Sequence, residues 1–242
     1  KKHKIDVEQD DLAIKCFNFK NLMRNKINLK VFNDEKRVKN YLEGKRDIYF
    51  DFVLEKILGL TKYLEFDVIG FSISEFRQYF VSLCLAKKLK EIYQNINKKV
   101  YIVFGGPTVT LNKGFAFKYS FVDFEIKGDG EMPFLRLIQS LEKSASTGIK
   151  SNLREVPNLT YKNLTEIKSN SALDYNINNL PGPDFEGLPT NLYKSNGTLI
   201  LPYSFTRGCI AKCVFCTHRA LSDYLKTKKI NIALNEIKDL AR

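Results

Sequence analysis

The sequence predicts a doubly wound α/β fold for its first half, and three observations carry that expectation. Val68–Ile73 lacks the clean alternation of a half-exposed strand, as a strand covered on both faces does, Val100–Phe104 reads as the next buried strand, and Phe121–Lys127 as a third. Segments with helical spacing lie between and after them, at Phe76–Tyr93 and from Met132 to Leu141. Each run ends in small residues: Ser72-Ile73-Ser74, Gly105-Gly106-Pro107 and Gly128-Asp129-Gly130-Glu131. Strand–helix–strand order at these lengths implies parallel pairing through right-handed crossovers.

Taken in order, Lys4–Val7 reads as a short first strand that runs into the polar turn Glu8–Asp11. Asp34–Leu42 suits a polar helix, and Val53, Ile57, Leu60 and Leu64 keep helical spacing. Cys16, set among Phe and Lys, reads as a small inert hydrophobe. Phe76, Phe80, Leu83 and Cys84 recur at i, i+4, i+7 and i+8, so the helix after the first run buries that stripe and Cys84 with it. A helix begins soon after Gly105-Gly106-Pro107, and Pro133 sits near the start of the next, where proline is tolerated.

The composition changes after Leu141. Ser144–Ser151 is small and polar, and five of the seven prolines lie between Pro157 and Pro202, which marks a connector. Within it, Asn158–Tyr161 and Glu166–Lys168 flank Lys162–Thr165 as a possible hairpin, whereas Leu180–Phe185 cannot be regular structure. The expected domains are therefore 1–143, an α/β domain; 144–197, a linker; and 198–242, the start of a second domain. There Thr198–Leu201 reads as a strand delivering the chain to Cys209, and Ile230–Ala241 as a helix.

A formal net charge of +12 invites a nucleic-acid reading. Lysine greatly outnumbers arginine, the better phosphate fork, and the lysines are spread along the whole chain. Solvated helix faces and a general compositional bias account for the charge better, so nucleic acid is not the expected partner. The N-terminal residues Lys1–Glu8 turn acidic where a signal peptide needs an apolar run. No apolar stretch approaches the roughly 20 residues of a membrane span. The chain reads as cytoplasmic, with no membrane partner. Thiols stay reduced there, so close-set cysteines point to metal binding or catalysis.

Three of the five cysteines lie in Thr206-Arg207-Gly208-Cys209-Ile210-Ala211-Lys212-Cys213-Val214-Phe215-Cys216, spaced C-x3-C-x2-C. Three soft sulfur ligands suit an iron–sulfur cluster or zinc. A zinc site would take Cys209, Cys213, Cys216 and His218. Its spacing weighs against it, because structural zinc sites mostly use two short knuckles, and His218 lies only two residues from Cys216. Three thiolates on a 4Fe–4S cluster would instead leave one iron without a protein ligand. Gly208 admits backbone angles that a Cβ forbids where the chain turns into the loop. Neither a G-x-G-x-x-G nor a G-x-x-x-x-G-K-[ST] pattern is present, so no usual dinucleotide or ATP site is indicated.

With Phe215 just before the last cysteine, the loop resembles the cluster loop of radical S-adenosylmethionine (SAM) enzymes. The loops Ser72–Ser74, Gly105–Pro107 and Gly128–Glu131, in that order and followed by a Pro-rich connector, are similar to those of B12-binding-domain radical SAM proteins over about residues 67–242. The resemblance implies a 4Fe–4S cluster on Cys209, Cys213 and Cys216. It implies that SAM binds the open iron beside Phe215, is cleaved reductively, and releases a 5′-deoxyadenosyl radical. It further implies the start of a (β/α) barrel, a reducing donor such as flavodoxin or ferredoxin, and radical chemistry such as methyl transfer on an unidentified substrate. Cobalamin would lie against Ser72, Ser74, Gly105, Gly106, Pro107, Gly128 and Gly130. Each of these also has a structural reading: Ser72 opens an S-x-x-E capping box, Gly105–Pro107 turns a strand, and Asp129-Gly130 is an ordinary turn.

No Asp-x-His-x-x-Gly motif supplies a lower-face histidine to cobalt, and His3 and His218 do not fit that role. Two rivals stay open. One is a radical SAM protein whose α/β domain binds no cobalamin, and the other is a zinc-stabilised nucleic-acid-binding module. A methylthiotransferase fits less well, since Cys16 and Cys84 cannot supply that family's second cysteine trio. The chain lacks an initiating Met, and 26 residues follow Cys216, too few for a barrel. The expectation is a piece of a longer enzyme, inactive alone.

Overall fold

The computed structural model describes residues 5–22, 28–112, 114–149, 151–173, 175–211, 213–217, 221 and 225–241. Three helices come first: α1 (Leu12–Leu22), α2 (Glu35–Leu42) and α3 (Ile48–Leu58). The parallel unit follows as β1 (Val68–Ser72), α4 (Phe76–Asn95), β2 (Tyr101–Gly105), α5 (Pro107–Leu111) and β3 (Phe124–Ile126). α6 (Glu131–Thr147) and the strands β4 (Leu159–Asn163) and β5 (Glu166–Ser169) complete it. Two-residue strands come next, β6 (Lys194–Ser195), β7 (Thr198–Leu199), β8 (Thr206–Arg207) and β9 (Lys226–Thr227), and then α7 (Ile230–Leu240).

The fold is mixed α/β around a sheet of order β1-β2-β3-β4-β5. β1, β2 and β3 are parallel, with Val68 opposite Tyr101 and Val103 opposite Phe124. β4 and β5 add antiparallel, with Phe124 opposite Tyr161 and Tyr161 opposite Lys168. The hairpin expected inside the connector thus forms and extends the sheet past residue 143. Among the described residues the three parallel strands run in chain order.

Helices cover both faces, and strand alternation decides which residues meet them. Ile69, Phe71, Ile102 and Phe104 face a cluster built with Leu83, Cys84 and Leu89 of α4, beyond which Val38, Tyr41, Phe50, Val53 and Leu54 of α2 and α3 pack. Val68, Tyr101, Val103, Phe124 and Ile126 face the other way, onto Leu137 and Leu141 of α6. A Cβ at Gly70 would sit 3.5 Å from the Phe134 ring, so α6 lies directly over β1.

Several sequence expectations are corrected by packing. Ile5–Val7 forms no strand, and Val7 is 70% exposed with no sheet partner; Lys4 lies outside the described residues. The third strand shortens to Phe124–Ile126, because Phe121 and Val122 are buried against the helical cluster instead. Thr198–Leu199 pairs back on Lys194–Ser195, and Thr206–Arg207 is the strand that enters the cysteine loop. α4 buries Leu83 and Cys84 as its spacing requires, but Phe76 at its first turn is half exposed. The helix starts at Phe76 rather than near Ser72: Glu75 is its cap, and Gln78 Oε1 accepts from Glu75 N at 3.2 Å and Ser74 N at 3.0 Å. Among the described residues no helix is long and apolar enough to cross a membrane.

Candidate functional site

The C-terminal ends of the parallel strands are woven together by hydrogen bonds from backbone N–H groups. Ile73 N donates to Gly105 O at 2.8 Å, and Thr108 N donates to Ile73 O at 3.2 Å. Gly128 N donates to Thr110 Oγ1 at 2.8 Å, and Lys127 N to Asn158 O at 3.1 Å. The loops Ser72–Ser74, Gly105–Pro107 and Gly128–Glu131 therefore form one continuous edge, where open α/β sheets bind ligands.

The two glycines at the end of β2 differ in what demands them. Gly106 has φ +97°, and a Cβ there would lie 2.6 Å from Ile73 O, so the weave itself requires glycine. Gly105 would put a Cβ no closer than 3.7 Å to Ile126 O, an ordinary contact, so packing does not demand a glycine there. Ser72, its partner across β1–β2, is exposed, as are Ser74 and Pro107. Neither serine hydroxyl has a hydrogen-bond partner among the described residues, and Ser72 does not cap α4. Pro107 opens α5, Gly128 has φ +65°, and Gly130 caps α6.

The cysteine loop rises from β8 and returns through β9, with Thr206 opposite Thr227 and Arg207 opposite Lys226. Gly208 turns the chain with φ +81° directly before Cys209. Ala211 N donates to Cys209 Sγ at 3.4 Å, and Cys216 N closes a turn onto Cys213 O at 3.2 Å. Cys209 and Cys213 are exposed and Cys216 is half-buried. Phe215 is 88% exposed, with no ring stacked on it among the described residues. Cys16 and Cys84 behave differently. Burial first, with Asp11 adding to it, pushes the Cys16 thiol up to about 11, and burial pushes Cys84 up to about 12. Cys84 is buried and Cys16 half-buried, whereas Cys209 and Cys213 stand at the surface.

Three thiols within one short exposed loop are a donor set that an iron–sulfur cluster accepts. Their sulfurs are not gathered: among the described residues no three His, Cys, Asp or Glu side chains are grouped closely enough to hold a metal ion. His218, the fourth ligand of the zinc alternative, lies outside the described residues.

The stem of this loop is bound to the sheet edge by contacts that motif spacing does not disclose. Arg207 Nη1 donates to Asp129 Oδ1 at 3.0 Å, and Arg207 Nη2 donates to Glu131 Oε1. Tyr175 Oη donates to Glu131 Oε2 at 3.0 Å, and Lys226 Nζ lies 3.8 Å from Asp129 Oδ2. Burial alone would raise the Glu131 carboxyl, but the Arg207 guanidinium, the Glu131 backbone N–H and the Tyr175 hydroxyl together hold it below its ordinary value. The sequence offered only a weak hint, an Arg beside the first cysteine and two acids in a glycine turn. Separations of 76 and 78 residues hide the pairing from local patterns.

No family model matches the chain. A sequence relative is the protein called "Uncharacterized methyltransferase PH0819" of Pyrococcus horikoshii, 27% identical over 170 residues that cover 69% of this chain. The match spans only 35% of that protein, so the chain corresponds to about a third of it. The fold is similar to that of the radical S-adenosylmethionine methyltransferase TsrM from Kitasatospora setae. Its structure with tryptophan substrate and the SAM analog aza-SAM aligns with TM-score 0.52 and 11% identity, over 83% of this chain and 38% of that one. Its structure with cobalamin and a 4Fe–4S cluster aligns with TM-score 0.50 and 13% identity, over 83% and 39%.

Proposed function

We propose that this chain is part of a cobalamin-dependent radical SAM methyltransferase, comprising its α/β cobalamin domain and its cluster loop. The observation that carries the reading is a C-x3-C-x2-C loop, with Cys209 and Cys213 exposed and Cys216 half-buried, whose stem is fastened to the ligand edge of a parallel sheet. The methyltransferase name of the sequence relative and the fold of TsrM agree with it. Cys209, Cys213 and Cys216 would hold the 4Fe–4S cluster, which supplies the electron for reductive cleavage of SAM. Phe215, exposed beside Cys216, offers an apolar ring face to the SAM adenine. Ser72 and Ser74 offer free hydroxyls, and Gly105 offers backbone open to close approach by the cobalamin tail. A flavodoxin or ferredoxin would deliver the electron.

Anaerobic reconstitution with iron and sulfide tests the metal. The expected outcome is a brown protein with cluster absorption and a reduced-cluster EPR signal, both lost on Cys213→Ala. Zinc by elemental analysis in place of iron would instead favour the zinc module. Cobalamin is tested by adding hydroxocobalamin and desalting. Retention supports the domain's role, and complete loss leaves a radical SAM protein without cobalamin.

A further inference from the structure

We propose that Arg207 is a positioning residue that latches the cysteine loop to the Gly128–Glu131 turn of the α/β sheet, so that the loop is held over the sheet's ligand edge. The inference rests on the functional reading above for its purpose, although its geometry stands alone.

The stem of the loop needs an external anchor. β8 and β9 pair over two residues each, and so short a ribbon is not stable in water by itself. Its two strands place cations at one register position, Arg207 opposite Lys226, and both reach Asp129. Arg207 spans two carboxylates, Asp129 and Glu131, with its two terminal nitrogens. This fork is one that a lysine cannot reproduce. Glu131 opens α6, where the helix dipole favours a carboxylate, so the acceptor is fixed by the sheet domain and not by the loop. Tyr175 closes the network: its hydroxyl donates to Glu131, its ring lies 4.8 Å from the Lys226 ammonium, and Arg207 Nη1 reaches its oxygen at 3.4 Å. Gly208 follows Arg207 immediately, and Cys209 follows that. A shift of the guanidinium therefore moves the first thiol with only one residue of slack.

The test measures a distance. Nitroxide labels are placed on Cys213, with Cys209 and Cys216 replaced by Ser, and on exposed Ser74 as Ser74→Cys; half-buried Cys16 is replaced by Ala, and Cys84 is buried. Pulsed EPR is expected to give one narrow distance distribution in this parent. The Arg207→Ala variant is expected to broaden it severalfold, and so is Asp129→Asn combined with Glu131→Gln, which leaves Arg207 in place. Arg207→Lys is expected to fall between. Identical distributions in the parent and in either disrupted variant, with circular dichroism unchanged, would overturn the latch. If Arg207→Ala fails to fold, the carboxylate variant decides alone. Cofactor uptake is scored separately, as hydroxocobalamin retention by the unlabelled wild-type chain. Loss of that signal with the distance result intact removes the cobalamin reading and leaves the latch standing.

Discussion

Gly106 shows how one residue can tie two loops. Its φ of +97° lies where side-chained residues are strained, and its α-carbon faces the Ile73 backbone with no room for a methyl group. Gly106→Ala is expected to cost about 1–3 kcal/mol in backbone strain alone, with the clash adding to that. Gly105→Ala is expected to leave stability nearly unchanged. Urea denaturation of both variants checks the contrast, and equal losses would contradict it. The same pair marks the reach of sequence reading at this scale. The glycine turns and the close spacing of the three loop cysteines are legible because both are written in adjacent residues. Whether Gly106 serves a ligand or Ile73 is not, since only the fold brings residue 73 to residue 106.

Among the elements, the helices carry most of the testable energetics. Leu83 and Phe76 share one stripe of α4, yet Leu83 is fully buried and Phe76 is 55% exposed. Leu83→Ala is expected to lose about 2–5 kcal/mol of unfolding free energy and Phe76→Ala under about 1 kcal/mol, measured by denaturant titration. At the start of α3, Asp47 accepts from Tyr49 N at 3.1 Å and Phe50 N at 3.0 Å, and also from Arg37 through Nε at 2.5 Å and Nη2 at 2.9 Å. The hydrogen bond from Arg37, with the helix N–H groups, holds the Asp47 carboxyl below its ordinary value of 3.8 against the opposing effect of burial. A lowered folded-state value means that this stabilisation is present above pH ~4 and disappears as pH falls through the folded value. Thermal unfolding between pH 5 and about 2.5 should therefore show a steeper loss in the wild type than in Asp47→Asn. That variant starts about 1 kcal/mol less stable from the weakened cap and ion pair. Equal slopes would remove Asp47 from the acid response.

Elements were read well where periodicity was one-sided and poorly where it was not. α2, α4 and α7 each have a distinct apolar face. α1 carries Leu12, Ala13, Ile14, Cys16, Phe17 and Phe19 around its whole circumference, which leaves no stripe to detect. The third strand is shorter than its apolar run because Phe121 and Val122 are as apolar as strand residues but pack against the helices.

Across the whole molecule, order should be graded. Ile102 and Phe104 lie at the centre of the sheet with α4 on one side and α6 beneath, whereas Cys209, Cys213, Val214 and Phe215 stand exposed. Hydrogen exchange is expected to be slowest across β2 and fastest within 208–217, by several orders of magnitude. Reconstitution with iron and sulfide should slow the loop and leave β2 unchanged. A loop already protected before reconstitution would contradict the exposed geometry. The parallel sheet was legible at this scale, because buried runs and intervening helices repeat. Its antiparallel extension was not, since a hairpin in a Pro-rich stretch gives no sign of which edge it joins.

That extension has a consequence for the order in which the protein is made. Every strand of the five-stranded sheet ends by Ser169, 40 residues before Cys209. During synthesis from the N-terminus, the sheet can pair completely while the cysteines are still being translated. Asp129 and Glu131 are then already fixed when Arg207 emerges, and the three thiols appear beside a finished sheet, ahead of β9 and α7. The loop stem would in this way close onto a preformed sheet as soon as β9 supplies its second strand, so the thiols would meet a folded domain as they emerge.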